Sequence, residues 1–388
     1  MILKWIMFKR TLSSLILKAS KQYPVISITG PRQSGKTTLS KNLFSDFAYS
    51  NLEDPSTREF ARNDPKAFLA QSKKMVIDEI QRVPELFSYL QVIVDSEKKR
   101  KFVITGSQNF LISEKISQTL SGRVAIFKLL PLSLKELQDN RLPFVDIYKL
   151  LVKGGYPRLY DEKLDFSEWY GNYIETYLQR DVREIKEIRN LSNFQTFLGL
   201  CAGRTGQILN LSSLANDAGV SVTTTKEWLS VLEASYVIHR LRPFYENFNK
   251  RLIKSAKLYF YDTGLVCALL NIKTEKELAK HPLMGSIFET FVVSELQKQN
   301  LHRQMRLNFY YLRDKQGNEV DLLYKIGQKL HLVEIKSAQT FRMDFVKAFD
   351  YFAKISGKKT ENQIIYGGNI KQKRSNFVLL PWKQMGLQ

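Results

Sequence analysis

The stretch with the clearest chemical pattern is GPRQSGKTTL, which follows the apolar run YPVISIT. Its spacing, G-x-x-x-x-G-K-[ST], is that of a phosphate-binding loop. Gly30 and Gly35 allow close approach of the backbone, whose N–H groups over residues 31–37 would surround a β-phosphate. We expect nucleotide contacts from Gly30, Pro31, Arg32, Gln33, Ser34, Gly35, Lys36, Thr37 and Thr38.

Charged groups in and after this loop fit phosphate hydrolysis. Lys36 would place its ammonium on the β- and γ-oxygens, and the Thr37 hydroxyl would ligate Mg²⁺. The strand-like run MVIDEIQ contains two adjacent carboxylates. Asp78 would orient a magnesium-bound water, and Glu79 would polarise the attacking water. The sequence therefore predicts an ATP site that uses Mg²⁺, and Glu79 favours hydrolysis over binding alone.

Three further polar residues are candidates for the same reaction. Ser107 or Gln108, at the end of the strand-like run KFVITGSQ, would sense the γ-phosphate or the water, although a strand cap explains them equally well. Arg123 lies in the short turn SLSGRV before another strand-like run. It is either an arginine finger acting across the subunit boundary of a homo-oligomer or a surface arginine without a catalytic role.

A second group of ionisable residues lies near the C-terminal end, in EVDLLYKIGQKLHLVEIKS. If a two-residue turn that begins at Gly327 joins two strands, Asp321 lies directly opposite Glu334. Glycine at this first turn position suits a type II′ hairpin. Strand alternation also puts Glu334 and Lys336 on the same face. Two carboxylates and a lysine are therefore expected at one end of a sheet.

Such a group could hydrolyse a phosphodiester. Asp321 and Glu334 would bind Mg²⁺ as hard oxygen ligands, and the metal with Lys336 would activate water. The alternative is an exposed hairpin of alternating charge, in which Glu319 pairs with Lys336 across the strands. A nuclease-like fold kept for binding after the loss of catalysis is a further alternative.

The elements that must position the first group alternate regularly. Between residue 25 and about residue 130, strand-like runs are separated by helix-like stretches; the runs are VISITG, AYSNLED, KMVIDEI, KFVITGSQ and VAIFKLLPLS. Short apolar strands separated by helices indicate a parallel sheet covered on both faces. The fold class is therefore α/β, with the phosphate loop between the first strand and the next helix.

After the glycine-proline break KGGYPRLY the pattern becomes helical. Residues 211–244 show a helix, a turn at Gly219, a second helix and a short strand pair, which is typical of a winged helix. The second helix would touch phosphates or base edges, although winged helices also serve as protein-contact modules. Its candidate contact residues are Thr223, Thr224, Thr225 and Lys226.

Taken in order, the motifs resemble the prokaryotic AAA-type ATPases in which a domain of unknown function follows the ATPase module. The resemblance rests on GPRQSGKTTL, MVIDEIQRVPELF, ITGSQNFL, SLSGRV, PLSLKEL, GGYP and YLQRDV, and it runs from about residue 7 nearly to the C-terminus. It implies a P-loop ATPase core, a winged-helix middle and a restriction-endonuclease-like end. The C-terminal pattern is also similar to the PD-(D/E)xK nuclease signature, in which Glu289 would be the additional acidic residue.

These patterns divide the chain into four expected regions. They are an AAA-type P-loop ATPase domain at 1–145, a helical connector at 146–190, a winged-helix domain at 191–270 and a PD-(D/E)xK nuclease-like domain at 271–388.

The net charge, the cysteines and the apolar runs indicate which partners and which cellular location to expect. The net charge of +21 favours a polyanion, and DNA is the partner we expect, although a basic proteome or solubility also explains such a charge. Cys201 and Cys267 form no metal or disulfide framework. No run of about 18 apolar residues occurs and MILKWIMF makes a poor signal peptide, so we expect a cytoplasmic protein without a membrane span.

The sequence as a whole predicts a Mg²⁺-dependent, ATP-hydrolysing protein that acts on or near DNA through its winged-helix and nuclease-like regions. One alternative is a slow-hydrolysing nucleotide switch. Another is a transcription regulator whose C-terminal region binds protein or DNA without cleavage. No particular protein partner is indicated.

Overall fold

The computed structural model describes residues 8–107, 115–116, 118–143, 146–178, 191–244 and 253–387. The candidate sensor Gln108 lies outside these ranges, as does the QRDV part of the YLQRDV motif. None of the described helices is long and apolar enough to cross a membrane.

The first region is a parallel sheet with interleaved helices. Its five strands lie in the order β2-β3-β4-β1-β5, and every neighbouring pair is parallel. The expected α/β fold is confirmed for this region. In chain order its elements are α1 (Leu12–Gln22), β1 (Val25–Thr29), α2 (Lys36–Leu43), β2 (Ala48–Asn51), α3 (Pro55–Asn63), α4 (Pro65–Ala70), β3 (Lys74–Asp78), α5 (Leu86–Ser96), β4 (Lys101–Gly106) and β5 (Val124–Lys128).

This sheet is buried on both faces because apolar residues occupy successive positions of its central strands. Val25 and Ile77 pack with residues of α3, α4 and α5 in one apolar cluster. Ile26 and Val76, one position away on the same strands, pack with α1 and α2 in another. The carboxyl ends of β1 and β3 therefore lie at the same end of the sheet, separated by β4.

The middle region is mainly helical. Helices α11 (Leu211–Asp217) and α12 (Val222–Ala234) are joined by a turn at Gly219, whose φ is +64°. Ser221 Oγ accepts a hydrogen bond from Thr224 N at 3.0 Å and so caps α12. The elements are α6 (Leu134–Asp139), α7 (Ile147–Lys153), α8 (Arg158–Asp161), α9 (Phe166–Tyr173) with a π-helical turn at Ile174–Leu178, α10 (Leu191–Gly203), α11 (Leu211–Asp217), α12 (Val222–Ala234), β6 (Ile238–Pro243), β7 (Lys257–Phe260), α13 (Thr263–Leu269) and α14 (Glu275–Lys280).

The expected strand pair of the winged helix is present in a different place. It was predicted within residues 211–244, but that segment supplies β6 alone, and its antiparallel partner is β7. The physical reason lies in the run YVIHRLRPF, which has no turn residue before Pro243 and so continues as one strand. Ile208 also forms an antiparallel bridge with Lys257.

The C-terminal region contains an eight-stranded sheet in the order β12-β13-β11-β10-β9-β8-β6-β7. The sheet crosses the expected boundary between residues 270 and 271, because β6 pairs in parallel with β8 and covers its edge. The division at that point stays a prediction, but the strands on its two sides form one sheet. The elements of this region are α15 (Met284–His302), β8 (Phe309–Arg313), β9 (Glu319–Ile326), β10 (Lys329–Lys336), α16 (Lys347–Ser356), β11 (Thr360–Tyr366), β12 (Gln372–Lys373) and β13 (Val378–Pro381).

Helix α15 connects the C-terminal region with the segment that follows β5. Glu295 Oε2 accepts a hydrogen bond from Leu134 N at 2.6 Å, and Lys298 Nζ donates to Leu132 O at 3.2 Å. At the end of the helix, His302 Nε2 accepts from the backbone N–H of Leu130 at 3.2 Å. Three polar side chains of this buried helix therefore bond to backbone groups of residues 130–134, the segment that follows β5.

Candidate nucleotide and metal sites

The phosphate loop connects β1 to α2, as its motif requires. Gly30 has a φ of +153°, and a Cβ at this position would lie 2.0 Å from Leu129 O. Gly35 has a φ of +94° and precedes the first turn of α2. Both positions therefore need glycine, the first because of close backbone packing and the second because of its left-handed conformation.

Lys36 is the buried cation of the loop, with 5% of its surface exposed. Its Nζ donates to Gly30 O at 3.0 Å and to Pro31 O at 2.8 Å. The ammonium is thus held within the loop, where a phosphate could exchange for these two carbonyl oxygens. Of the remaining loop residues, Ser34 is buried, whereas Arg32, Gln33 and Thr38 line the adjoining cavity.

Asp78 lies beside the loop and is 3% exposed. Its Oδ2 accepts from Thr37 Oγ1 at 2.7 Å and from Tyr49 OH at 2.8 Å, and its Oδ1 accepts from Thr105 Oγ1. Burial of Tyr49, followed by the nearby Asp78 charge, raises the pKa of this phenol. The structure therefore brings together Thr37 and Asp78, the hydroxyl and carboxylate expected to bind Mg²⁺ with ATP.

Tyr49 and Thr105 are members of this group that the sequence reasoning missed. Each belongs to a strand next to β3, in the runs AYSNLED and KFVITGSQ. Finding them needs the order of the strands, because only neighbours of β3 can reach the Asp78 carboxylate. The alternating pattern of strands and helices does not contain that order.

Glu79 directly follows β3 and has left-handed backbone angles, φ 55° and ψ 46°. This conformation is uncommon for a residue other than glycine and ends the strand after Asp78. The Glu79 side chain lines the same cavity as Lys36 and Thr37, and Gln81 Nε2 donates to its Oε2. The predicted water-polarising carboxylate is therefore at the mouth of the loop and is oriented by a neighbouring amide.

The cavity beside the loop has a volume of 490 Å³, in the range of small-molecule sites. Pro157, Arg158 and Asp161, from the segment after the Gly-Gly-Tyr-Pro break, are unexpected members of its wall. Its lining comprises Phe8, Arg10, Arg32, Gln33, Gly35, Lys36, Thr37, Thr38, Leu39, Glu53, Glu79, Pro157, Arg158 and Asp161.

The two glycines of that break explain how the middle region reaches the nucleotide cavity. A Cβ on Gly154 would lie 2.1 Å from Tyr170 OH, and one on Gly155 would lie 2.6 Å from Leu132 O. Asp262, on the other side of the turn, accepts from Gly155 N at 2.7 Å and from Tyr170 OH at 2.6 Å. The glycine pair was a usable signal, because it marks a close backbone approach as well as a break.

Arg10 supports the loop from the side of α1. It is 5% exposed, and its Nη1 donates to Ser34 O at 2.8 Å. Its Nη2 donates to Leu130 O at 2.5 Å, and its Nε lies 3.1 Å from Glu136 Oε1. Burial alone would raise the pKa of Glu136, but the charges of Arg10 and His302, together with backbone hydrogen bonds, lower it to about 2. No local sequence pattern identifies this buried ion pair.

Ser107 and Arg123 stand apart from the cavity wall. Ser107 follows β4 next to Gly30 and is 1% exposed, and its Oγ has no hydrogen-bond partner among the described residues. Arg123 precedes β5, at the amino-terminal ends of the strands, whereas the loop follows the carboxyl end of β1, roughly 15 Å away along the strands. Its Nε and Nη2 bind the carboxylate of Asp95 at 2.5 and 2.9 Å. Arg123 therefore does not join the site of its own chain, and a role across a subunit boundary stays a prediction.

The C-terminal hairpin has the predicted register. Strands β9 and β10 pair from Ile326 with Lys329 to Leu322 with Val333, and Gly327 in the turn has a φ of +58°. The next facing residues are Asp321 and Glu334. Asp321 N lies 3.4 Å from Glu334 Oε1, and Ile335 N donates to Asp321 Oδ2 at 2.8 Å.

Lys336 completes the predicted group. Its Nζ lies 2.7 Å from Glu334 Oε2 and 3.5 Å from Asp321 Oδ2. Burial, and then the negative charge of Asp321, raise the pKa of Glu334. Although burial opposes it, the same two carboxylates raise the pKa of Lys336. The alternative pairing of Glu319 with Lys336 is not adopted, because Glu319 contacts Lys257 and Arg313 instead.

Glu289 reaches this group from α15, as the resemblance implied. Its Oε1 lies 2.8 Å from Lys257 Nζ and accepts from Tyr259 OH at 2.6 Å. Among the described residues, one carboxylate group has the geometry to hold a metal ion. It consists of Glu289, Glu319 and Asp321, which offer oxygen atoms within 4.8 Å of one another. Glu334, the expected second ligand, lies outside this trio and faces Lys336.

A cavity of 750 Å³ is lined by the four carboxylates Glu289, Glu319, Asp321 and Glu334 and by Lys257 and Lys336. The sequence reasoning missed Lys257 and the position of Glu319, since Lys257 comes from β7 and reaches the group only through the tertiary fold. The lining comprises Gly206, Gln207, Ile208, Ile253, Lys257, Glu289, Arg313, Gly317, Asn318, Glu319, Asp321, Glu334, Lys336, Asp344, Lys347, Ala348 and Tyr351.

Helix α12, the expected recognition helix, presents only part of its predicted contact set. Thr223 and Lys226 are exposed. Thr225 is buried and donates to Ser221 O at 3.1 Å, so it contributes to the helix and not to a surface. Thr224 is half-buried and lies 2.9 Å from the Ser221 hydroxyl. The surface available to a nucleic acid at this helix start is therefore smaller than predicted.

Comparison with known proteins agrees with the loop geometry. Residues 22–138 match the family described as AAA domain. Residues 145–276 match a domain of unknown function, DUF8612, and residues 284–385 match another, DUF4143.

Two relatives that match most of the chain are described as uncharacterized proteins. The chain is 29% identical over 337 residues to an uncharacterized protein of Mycobacterium tuberculosis, covering 86% of this chain and 74% of that protein. It is 25% identical over 340 residues to an uncharacterized protein of Methanocaldococcus jannaschii, covering 79% and 73%. Among solved structures, a Walker-type ATPase of Pyrococcus abyssi matches with a TM-score of 0.45 and 15% identity, over 68% of this chain and 96% of that one.

The chain thus contains an AAA-type P-loop domain, whose class and loop geometry indicate nucleotide binding and ATPase activity. The other two matched regions have no described function. The winged-helix and nuclease-like interpretations therefore stay predictions.

Proposed function

We propose that this protein is a Mg²⁺-dependent ATPase whose turnover drives a C-terminal region that acts on DNA. The observation that carries the ATPase part is the contact of Thr37 Oγ1 with Asp78 Oδ2 at 2.7 Å, beside Lys36 and a 490 Å³ cavity. A hydroxyl and a carboxylate are oxygen donors, which fit Mg²⁺. When bound, the metal would neutralise charge on the phosphates of ATP.

The residues of the chain then have separate roles. Lys36 exchanges its contacts with Gly30 O and Pro31 O for phosphate oxygens. Thr37 and Asp78 hold the metal. Glu79 accepts a hydrogen bond from the attacking water and takes its proton, while Gln81 keeps the carboxylate oriented.

ATP turnover by wild type and by Glu79→Gln tests this part. We expect the variant to bind ATP normally but to lose turnover about 10²- to 10⁴-fold, as for removal of a general base. Glu85→Gln, another glutamate a few residues along the same segment, serves as the matched control and should keep full turnover. If Glu79→Gln and wild type turn over equally, Glu79 is not the base. Binding without any wild-type turnover supports the nucleotide switch.

For the C-terminal site, we propose metal-dependent cleavage of a phosphodiester. The supporting observation is the convergence of Glu289, Glu319 and Asp321 in one cavity with Lys336. The carboxylates would hold a divalent ion, which lowers the pKa of a water when bound. Lys336 would stabilise the charge that develops on the phosphate. The net charge of +21 makes DNA the substrate class we favour.

Plasmid DNA incubated with Mg²⁺ or Mn²⁺ tests this second activity. We expect cuts with wild type and none with Asp321→Ala or Lys336→Ala. Lys347→Ala, at the rim of the cavity, is the matched control and should retain cutting at low salt. Cuts that survive both of the first two substitutions would come from a contaminating nuclease and would refute the assignment.

We further propose that Arg123 acts in the ATP site of a neighbouring copy. Because Arg123 lies at the opposite end of the strands from the loop, it cannot act in its own site. It can reach a second subunit once it is released from its ion pair with Asp95. Mixing Arg123→Ala with Glu79→Gln tests this, because each variant then supplies the group that the other lacks. Recovery of turnover on mixing supports shared sites, and its absence in a mixed oligomer contradicts them.

A further inference from the structure

The ammonium group of Lys257 lies among the carboxylates of Glu289, Glu319 and Asp321. It begins β7, and only 3% of its side chain is exposed. Its Nζ lies 2.8 Å from Glu289 Oε1 and also contacts Glu319 Oε1. The ring centroid of Tyr311 lies 5.6 Å from the same ammonium. Lys257 therefore occupies the space between two of the three carboxylates that converge there.

These contacts use oxygen atoms that a metal would otherwise bind. Glu289 Oε1 accepts from both Lys257 and Tyr259, which leaves Oε2 for an ion. Glu319 Oε1 contacts Lys257, and its Oε2 lies 3.0 Å from Arg313 Nη1. Arg313 is 40% exposed, so water screens its charge far more than that of Lys257. Two-metal sites hold their ions roughly 3.5–4 Å apart. A second ion here would need oxygen atoms that Lys257 and Arg313 already contact.

The net charge of the group also favours a single divalent ion over two. Its carboxylates are Glu289, Glu319, Asp321 and Glu334, and its two buried or half-buried ammoniums are Lys257 and Lys336. When all are ionised, two negative charges remain, which equals the charge of one divalent cation. Lys336 balances the Glu334 side of the cavity, and Lys257 balances the Glu289 side.

We propose that Lys257 is a fixed cation that takes the place of a second metal ion, so that this site binds one divalent ion per chain. The inference rests on the proposed metal-dependent function of the same site. Lys257 acts as a positioning residue, because it acts through Glu289 and Glu319. It belongs to β7, which was expected to be part of the winged helix, so the middle region supplies a charge that the C-terminal site needs.

The number of bound Mn²⁺ ions tests the proposal. The metal-free full chain is titrated with Mn²⁺ without nucleotide, and free Mn²⁺ is followed by electron paramagnetic resonance. Asp321→Asn measures the ions bound elsewhere, and its count is subtracted. We expect wild type to bind one ion at the site and Lys257→Met to bind two. Lys257→Arg keeps the positive charge and should bind one.

Two controls separate charge from folding. Tyr259→Phe removes a hydrogen bond to Glu289 but leaves Lys257 in place, so it should still bind one ion. Lys257→Met combined with Glu319→Gln removes one charge of each sign and should return the count to one. Circular dichroism reports whether each variant is folded.

The outcomes test the single-ion inference separately from the proposed metal-dependent function on which it rests. Two ions in wild type, or one ion in folded Lys257→Met, would overturn the inference while leaving the metal site intact. Equal counts for wild type and Asp321→Asn would overturn the metal site itself. If Lys257→Met does not fold, the wild-type count decides, since one ion supports the proposal and two refute it.

Discussion

Replacing Glu136 by glutamine should weaken both the fold and the nucleotide site. Glu136 is 1% exposed and lies 3.1 Å from Arg10 Nε, and its carboxylate also accepts from Thr11 N at 2.8 Å and Ser133 N at 3.0 Å. His302 lies 3.7 Å away, but burial lowers the pKa of its imidazole to about 4, so it is neutral at pH 7. Arg10 is therefore the charge partner at neutral pH.

The magnitude follows from the pKa of this carboxyl. The pKa of Glu136 is about 2 in the folded protein against the usual value of 4.5, which corresponds to about 3 kcal/mol of folding free energy, including a share from His302 that is charged only in acid. Because the folded value is the lower one, this contribution is fully present above pH 4.5 and disappears as the pH falls through about 2. In Glu136→Gln, Arg10 stays buried without its charge partner, and the total cost of removing one member of a comparable buried pair is about 3–5 kcal/mol, in agreement with the figure from the pKa.

Urea unfolding at pH 7 and pH 3, together with ATP titration, measures these effects. We expect Glu136→Gln to lose about 3 kcal/mol at pH 7 and less at pH 3. ATP affinity should fall roughly tenfold, the equivalent of one charge-assisted hydrogen bond, because Arg10 also holds Ser34 O of the loop.

Asp139→Asn is the matched control for this experiment. It removes a carboxylate from the same helix, but one whose partner Lys135 is exposed, so the loss should stay within about 1 kcal/mol. Equal losses in the two variants, or a Glu136→Gln effect that does not shrink with acid, would show that the buried pair contributes no special stability.

Three further predictions concern positions whose surroundings differ sharply. Gly30→Ala should abolish ATP binding, because its Cβ would lie 2.0 Å from Leu129 O, whereas Gly199→Ala, a helical position with nothing within 4 Å, should bind ATP normally in the same titration. Thr105→Val should reduce ATP turnover by about tenfold while leaving ATP affinity within about twofold, since one hydrogen bond to Asp78 is lost. Thr225→Val should lower the thermal unfolding midpoint without changing the salt dependence of DNA binding, whereas Lys226→Met, which removes an exposed charge, should weaken that salt dependence and leave the midpoint unchanged.

Much of the nucleotide site could be predicted from short segments. The loop GPRQSGKTTL and the run MVIDEIQ are local patterns, and each lies at the end of one strand. In a parallel sheet such ends lie at the same end of the sheet, so Thr37 and Asp78 were expected on the same side, and the strand order then brings them into contact. The same holds for Asp321 and Glu334, since a two-residue turn sets the register of both strands.

Other parts of the sites could not be predicted because their members are distant in sequence. Arg10 and Glu136 are 126 residues apart, and Lys257 and Glu289 are 32 apart on different elements. Nothing in the segment around Lys257 distinguishes it from the many other lysines of this basic chain. For Arg123 the local pattern was misleading. The short turn marked this arginine as a catalytic candidate, but it lies at the opposite end of the strands from the ATP site of its own chain.

The sequence by itself thus determined the phosphate loop, the two carboxylates that follow it and the register of the C-terminal hairpin. These depend on hydrogen bonds and strand periodicity within a few residues of each motif. Only the tertiary structure decided which side chains complete the two sites. Tyr49, Thr105, Arg158 and Lys257 reach them because strands pair in a particular order and glycines allow one backbone to approach another. Those choices come from packing over the whole chain, which no single segment encodes.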